Sequence, residues 1–175
     1  MATASAPKHV FTRYQKFVIA ILAFLQFTII LDFMIVSPLG AMVMPRLHIL
    51  PQQFAWVVSS YAFSAAVSGL LAAGFADRFD RKRLLLFFYA GFTIGTLLCG
   101  LATTYPMLLM ARIVTGLFGG VIGSVVLAIA TDLFPFEVRG RVMGFIQTAF
   151  AASQVLGLPT ALYFAELDYS GHHAP

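Results

Sequence analysis

The sequence predicts an all-α protein built as a polytopic membrane bundle of five transmembrane helices. Three observations predict it. The 175 residues are 60% hydrophobic and only 10% charged, whereas a soluble domain is nearer half apolar and about a quarter charged. The mean hydropathy of +0.90 leaves too little polar surface to cover a globule in water. The apolar residues also fall in runs of about 20, the length that crosses a hydrocarbon core of about 30 Å as a helix. No run alternates with the period of 2 that a barrel strand needs.

Taken in order, residues 1–16 form a polar tail and residues 17–165 the bundle, with spans at 17–39, 54–75, 84–105, 107–131 and 142–165. Span one is too long for the 7–15-residue apolar region of a signal peptide (roughly) and carries Asp32, so it reads as a retained span. Pro45 and Pro51 separate spans one and two, Pro106 separates three and four, and Pro135 with Gly140 separates four and five. Between spans two and three lies GFADRFDRKR, residues 74–83, in which six of ten residues are charged. After span five come Glu166, Asp168 and SGHHAP, a polar stretch of the kind that leads into another element. The 166–175 tail reads as extracytoplasmic and leading towards a sixth span, and the chain as a truncated fragment.

Orientation follows from the cations. Lys8, Arg13 and Lys16 precede span one, Arg78, Arg81, Lys82 and Arg83 follow span two, and Arg139 and Arg141 precede span five. Nine of the eleven basic residues thus fall on one side, which the positive-inside rule makes cytoplasmic. The reading is a multi-pass protein of the cell (inner) membrane with its N-terminus inside and the end of this chain outside. The cations are short anchors at the bilayer face and offer no base-stacking platform, so nucleic acid is excluded as a partner. The single cysteine, Cys99, lies in an apolar run, forms no internal disulfide and reads as an inert thiol. There is no phosphate-binding loop, no metal-ligand cluster and no triad spacing, and His9, His48, His172 and His173 all fall outside the spans. Enzyme chemistry, a metal and an organic cofactor are all unsupported.

Two charges lie inside spans. Asp32 sits roughly 12 Å inside the outer end of span one, and Arg112 roughly 8 Å inside the same end of span four. Isolated intramembrane charges cost several kcal/mol, so such residues face a cavity or one another. One reading is a titratable carboxylate tuned by a guanidinium, since an opposite charge and burial push its protonation in opposite directions. The other is snorkelling to the interface or a static structural pair.

Span four also carries Gly116, Gly119, Gly120 and Gly123 in two small-xxx-small pairs, a pattern that lets helices approach closely in lipid. Span three repeats the device with Gly91 and Gly95, where generic packing is the preferred reading. In span two, Ser60, Ser64 and Ser68 share a face. They either line a polar path or bond the carbonyls of their own helix. Gln154 in span five is expensive in lipid and reads as interior, and Pro159 predicts a kink.

With the charge burst placed between spans two and three, GFADRFDRK at 74–82 resembles motif A of the major facilitator superfamily, G-x-x-x-D-R-x-G-R-R/K. It departs at Asp80, which stands where the motif has glycine. Asp32, with Pro38 beyond it, is similar to the acidic pattern in the first span of proton-coupled drug transporters. RIVTG at 112–116 resembles motif B, whose arginine is implicated in proton coupling, and FPFEVRGR at 134–141 resembles the loop before span five. SQVLGLPTA at 153–161 matches the antiporter motif C imperfectly: a serine replaces its first glycine, the proline is displaced by one, and the final glycine pair is absent.

The resemblance implies part of a six-helix N-terminal half that works with a missing C-terminal half, binding a small molecule between them and rocking by alternating access. It implies proton coupling at Asp32 and Arg112, with the proton gradient as energy source and no cofactor. It also implies a gate latch formed by Gly74, Asp77, Arg78, Arg81 and Lys82. In that latch Asp77 meets a helix N-terminus of the second half, and Arg81 reaches Asp132 at the end of span four. Ser60, Ser64 and Gln154 are candidate cavity-lining residues. Efflux is the leading expectation; a sugar or metabolite importer, or a five-span binding or scaffold protein, are the alternatives.

Overall fold

The computed structural model describes residues 11–157, 159–160 and 162–163, without the side chains of Phe75 and Asp77. Every regular element among the described residues is helical: α1 (Arg13–Leu47), α2 (Pro51–Phe75), a 3-10 turn (Ala76–Arg78), α3 (Arg81–Gly100), α4 (Tyr105–Leu133), α5 (Phe136–Ala152) and a π-helical turn (Ser153–Gly157). The all-α membrane bundle is thus the observed architecture. Four of the helices are long and apolar enough to cross a membrane, α1 to α4. The α-helical part of α5 is shorter, at 17 residues, and its first turns carry Glu137, Arg139 and Arg141. The end of the fifth run and the 166–175 tail lie outside the described residues.

Local chemistry sets the ends of each helix. Thr12 and Gln15 cap α1 reciprocally: Thr12 Oγ1 accepts from the Gln15 N–H (3.2 Å) and Gln15 Oε1 from the Thr12 N–H (3.0 Å). Helix α1 then runs 35 residues, through both Pro38 and Pro45, and ends only at His48, whose φ of 52° is left-handed. The break between α1 and α2 thus falls between Pro45 and Pro51. Each proline removes one backbone donor, but leaving the helix in a bilayer would strand many more polar groups. Prolines also open α2 and α4, where a missing N–H costs nothing. Asp80 caps α3, its Oδ1 accepting from the Arg83 N–H at 2.9 Å. The glycine-to-aspartate departure in the charge burst thus has a structural use, satisfying an N-terminal donor of α3. Arg139 closes α4: its Nε donates to Phe134 O (2.9 Å) and its Nη2 to Thr131 O (2.6 Å). The π turn falls just ahead of Pro159, where the proline ring would crowd a regular turn.

Helix α4 is the hub. It packs against α2 and α3, more lightly against α1 and α5, while α1 and α5 pack on each other. A larger share of its apolar stretch is buried than in α1, α2 or α3. A core of Leu22, Tyr61, Phe92, Ile122, Val126, Phe134, Val142 and Ile146 ties all five helices together. Large apolar side chains such as Trp56, Phe63, Leu70, Phe87 and Leu97 point outward, which suits a lipid-facing belt.

The close helix contacts depend on small residues. At Gly116 a Cβ would meet the Tyr61 carbonyl oxygen at 2.5 Å and run into Ser64 Oγ; at Gly120 it would collide with the Ala65 carbonyl and Ser68 Oγ. Ser124 Oγ donates to Gly69 O at 2.9 Å across the same α2–α4 seam. Gly119 lies beside Tyr61 and Phe92, whereas a Cβ at Gly123 would face open space. On the other flank of α4, Gly95 of α3 lies against Thr115, and Gly91 against Phe118.

A candidate site around Asp32 and Arg112

Helices α1 and α4 present Asp32 and Arg112 to each other inside the bundle, where they are only 7% and 5% exposed. Arg112 Nη1 donates to Asp32 Oδ2 at 2.9 Å. The structure brings the two intramembrane charges together and excludes snorkelling. From α3, Thr96 Oγ1 donates to Asp32 Oδ1 at 3.1 Å. From α2, Tyr61 places its ring 5.8 Å from the Arg112 guanidinium carbon. Four helices thus converge on one carboxylate–guanidinium pair. With two hydrogen bonds received and about four lone-pair sites, the carboxylate keeps capacity for water or a proton.

Tyr61 and Thr96 were not singled out by sequence reasoning. Tyr61 left a weak signal, as a polar ring among the serines of span two. Thr96 left none, because a lone threonine in a span ordinarily bonds its own helix.

The pair forms the floor of a half-open cavity of about 720 Å³ lined by α1, α2, α3, α4 and the loop between α3 and α4, which runs towards Arg46. On another face, a groove of about 660 Å³ is lined by α1, α2, α4 and α5, including Gln26, Gln147, Gly123 and Ser124. Ser60, Ser64 and Gln154 line neither. Ser60 donates to Val57 O (2.9 Å) and Ser64 to Tyr61 O (3.0 Å), and Ser64 is buried in the α2–α4 seam. The two serines satisfy their own helix, the second of the readings open at the sequence level. Gln154 is half-buried in the π turn.

At the opposite end of the bundle, Arg81 at the start of α3 reaches α4. Its Nε and Nη2 both lie 3.2 Å from Asp132 Oδ2. Arg78 and Lys82 are exposed, and Gly74 faces open space. The side chain of Asp77 lies outside what the structure describes.

Comparison with known proteins places this arrangement. The family model described as the Major Facilitator Superfamily matches residues 22–171. The chain belongs to the Major Facilitator Superfamily. It is 37% identical over 105 residues to Multidrug resistance protein 3 of Bacillus subtilis, covering 60% of this chain and 20% of that protein. It is 35% identical over 114 residues to the vacuolar membrane amino acid uptake transporter fnx2 of Schizosaccharomyces pombe, covering 65% and 20%. In structure it resembles a bacterial homolog of the human lysosomal transporter Spinster in an inward-facing, occupied conformation, with a TM-score of 0.76 at 20% identity, covering 85% of this chain and 32% of that one. The latter likeness is one of fold. The superfamily chain described here spans about a fifth of the first two relatives and about a third of the Spinster homolog. It is a multi-pass membrane protein of a transporter family.

Proposed function

We propose that this chain is a working part of a proton-coupled secondary transporter that exports a small molecule by alternating access, in concert with a second helical bundle. The observation that carries the reading is the buried Asp32–Arg112 pair, held by four helices at the floor of a cavity. Asp32 is the proton acceptor. Arg112 pairs with it in one conformation and withdraws from it when the helices shift. The proton gradient is the energy source and no cofactor takes part. At the other end, Asp77, Arg78, Arg81 and Lys82 latch the cytoplasmic side, with Gly74 leaving room for a helix of the second bundle and Asp132 as the local partner of Arg81. The protein lies in the inner membrane with its N-terminus cytoplasmic.

The test is a chimera in which this chain replaces the corresponding segment of the Bacillus relative, reconstituted in vesicles with an imposed pH gradient. The expected result is substrate movement driven by the gradient and lost in Asp32→Asn, with facilitated equilibration retained. Gradient-driven accumulation that survives Asp32→Asn would sink the reading. Import is the second reading: the motif C stretch is imperfect, and one relative is named for amino acid uptake. The sign of the gradient-driven flux in the same vesicles separates the two.

A further inference from the structure

The cavity of about 720 Å³ lies on a different side of the bundle from the groove lined by α5. It is walled by the Arg46-end halves of α1, α2, α3 and α4. Its polar groups are spread along its length: Arg46 at the end where α1 finishes, Thr103 in the loop between α3 and α4, Cys99 on α3, and Thr96, Asp32 and Arg112 at the floor. At about 30 Å³ per water, the space holds on the order of twenty waters. One buried polar atom of the floor residue Arg112, its Nε, has no hydrogen-bond partner among the described residues. Groups of that kind are almost always paired, with water where protein does not serve. Room, a run of polar groups and an unmet hydrogen-bonding atom on Arg112 together describe a place for water rather than a dry packing defect.

We propose that this cavity is a hydrated vestibule through which protons reach Asp32 from the Arg46 end of the bundle, separate from the groove lined by α5. The part of this inference that concerns protons rests on the reading of Asp32 given above. The vestibule itself does not. The ionisable groups facing Asp32 are Arg112 on α4, Tyr61 on α2 and Cys99 on α3, with Arg46 of α1 further along the cavity. A proton arriving by this route passes one cation and meets the carboxylate on the face that Arg112 and Thr96 leave unfilled.

Cys99 lines the cavity and is the chain's sole cysteine, so it reports on access without an introduced probe. The experiment uses the full chain in vesicles, with a small, charged, membrane-impermeant methanethiosulfonate added at the Arg46 end. Fast labelling of Cys99 is expected, slowed tenfold or more when Val43→Trp fills the cavity. Labelling only by a lipid-soluble maleimide, or charged labelling that Val43→Trp leaves unchanged, overturns the vestibule. A pH jump at the Arg46 end is then followed by the infrared carboxyl band that Asp32→Asn removes. Slowing of that band in Val43→Trp, in parallel with slowed labelling, supports the route. An unchanged rate despite slowed labelling overturns it. If no carboxyl band assignable to Asp32 moves with pH, the proton route and the coupling reading fail together, while the labelling result still decides the vestibule. Should Val43→Trp not fold, Leu39→Phe provides the same obstruction.

Discussion

Two aspartate–arginine pairs among the described residues have almost equal length and opposite settings. Asp32 and Arg112 meet at 2.9 Å with both side chains 6% exposed; Arg81 and Asp132 meet at 3.2 Å with side chains 25% and 60% exposed. The chemistry is the same and the environment decides its consequence. Water reaches the Asp132 carboxylate of the outer pair, so a change in conformation can break and remake that contact at little cost. The inner pair has no such alternative: removing either partner leaves a buried charge uncompensated. On the function proposed above, a weak contact suits an end that must open repeatedly, and a strong pair suits a centre whose separation has a large effect. That contrast yields predictions, taken here from the largest effect downward.

Arg112→Ala should destabilise the bundle by about 3–5 kcal/mol, the range for an orphaned buried charge. Denaturation in mixed micelles measures it. The sharper form is the double change Asp32→Leu with Arg112→Met. If the pair is there for function, this apolar replacement should recover most of the lost stability or exceed the parent, while gradient-driven transport in the chimera stays absent. A double variant as unstable as Arg112→Ala would instead make the pair a structural strut.

The α2–α4 seam comes next. Gly120→Val should cost about 1–3 kcal/mol by overpacking, because its Cβ would collide with the Ala65 carbonyl, which is backbone and cannot rotate away. Gly123→Ala, three residues along the same helix, has open space around it. It should be neutral or stabilise by up to about 1 kcal/mol through helix propensity. Equal effects at the two glycines, in the same unfolding assay, would contradict the close approach of α2 and α4.

These glycines also mark what was legible in the sequence. The helical class, the charged loop and the two intramembrane charges stood out because lipid makes polar residues expensive, so each one is a signal. That Asp32 and Arg112 would meet was only one of several readings, since depth along a helix does not specify rotation about it. The same missing rotation hides which of the four α4 glycines touch a neighbour, and it left Ser64 as a candidate cavity residue when it is buried in a seam. Thr96 was invisible for another reason: its partner lies 64 residues away, on a different helix. The break between α1 and α2 falls between Pro45 and Pro51, the two prolines that marked it in the sequence. In the bilayer two prolines are carried within a 35-residue helix.

Within the charge burst, Asp80→Ala should cost about 1 kcal/mol by removing the cap of α3, whereas Asp80→Gly should cost only a few tenths. Hydrogen exchange at the first turn of α3 measures both. Equal protection in Asp80→Ala and the parent would mean that the bond to the Arg83 N–H does not hold that turn.

Arg81→Ala and Asp132→Asn should each change stability by no more than about 1 kcal/mol, as exposed pairs do. Any effect should shrink from low salt to about 1 M, where the screening length falls to about 3 Å. The inner pair, shielded from ions, should show no comparable salt dependence. In the chimera, the outer pair should still matter kinetically: its loss should raise labelling of a cysteine placed in the α5-lined groove from the charge-burst end. That result would separate a latch from an anchor, because an anchoring cation would alter neither the accessibility of the groove nor its response to salt. A salt-insensitive loss of several kcal/mol at Arg81 would collapse the distinction between the two pairs.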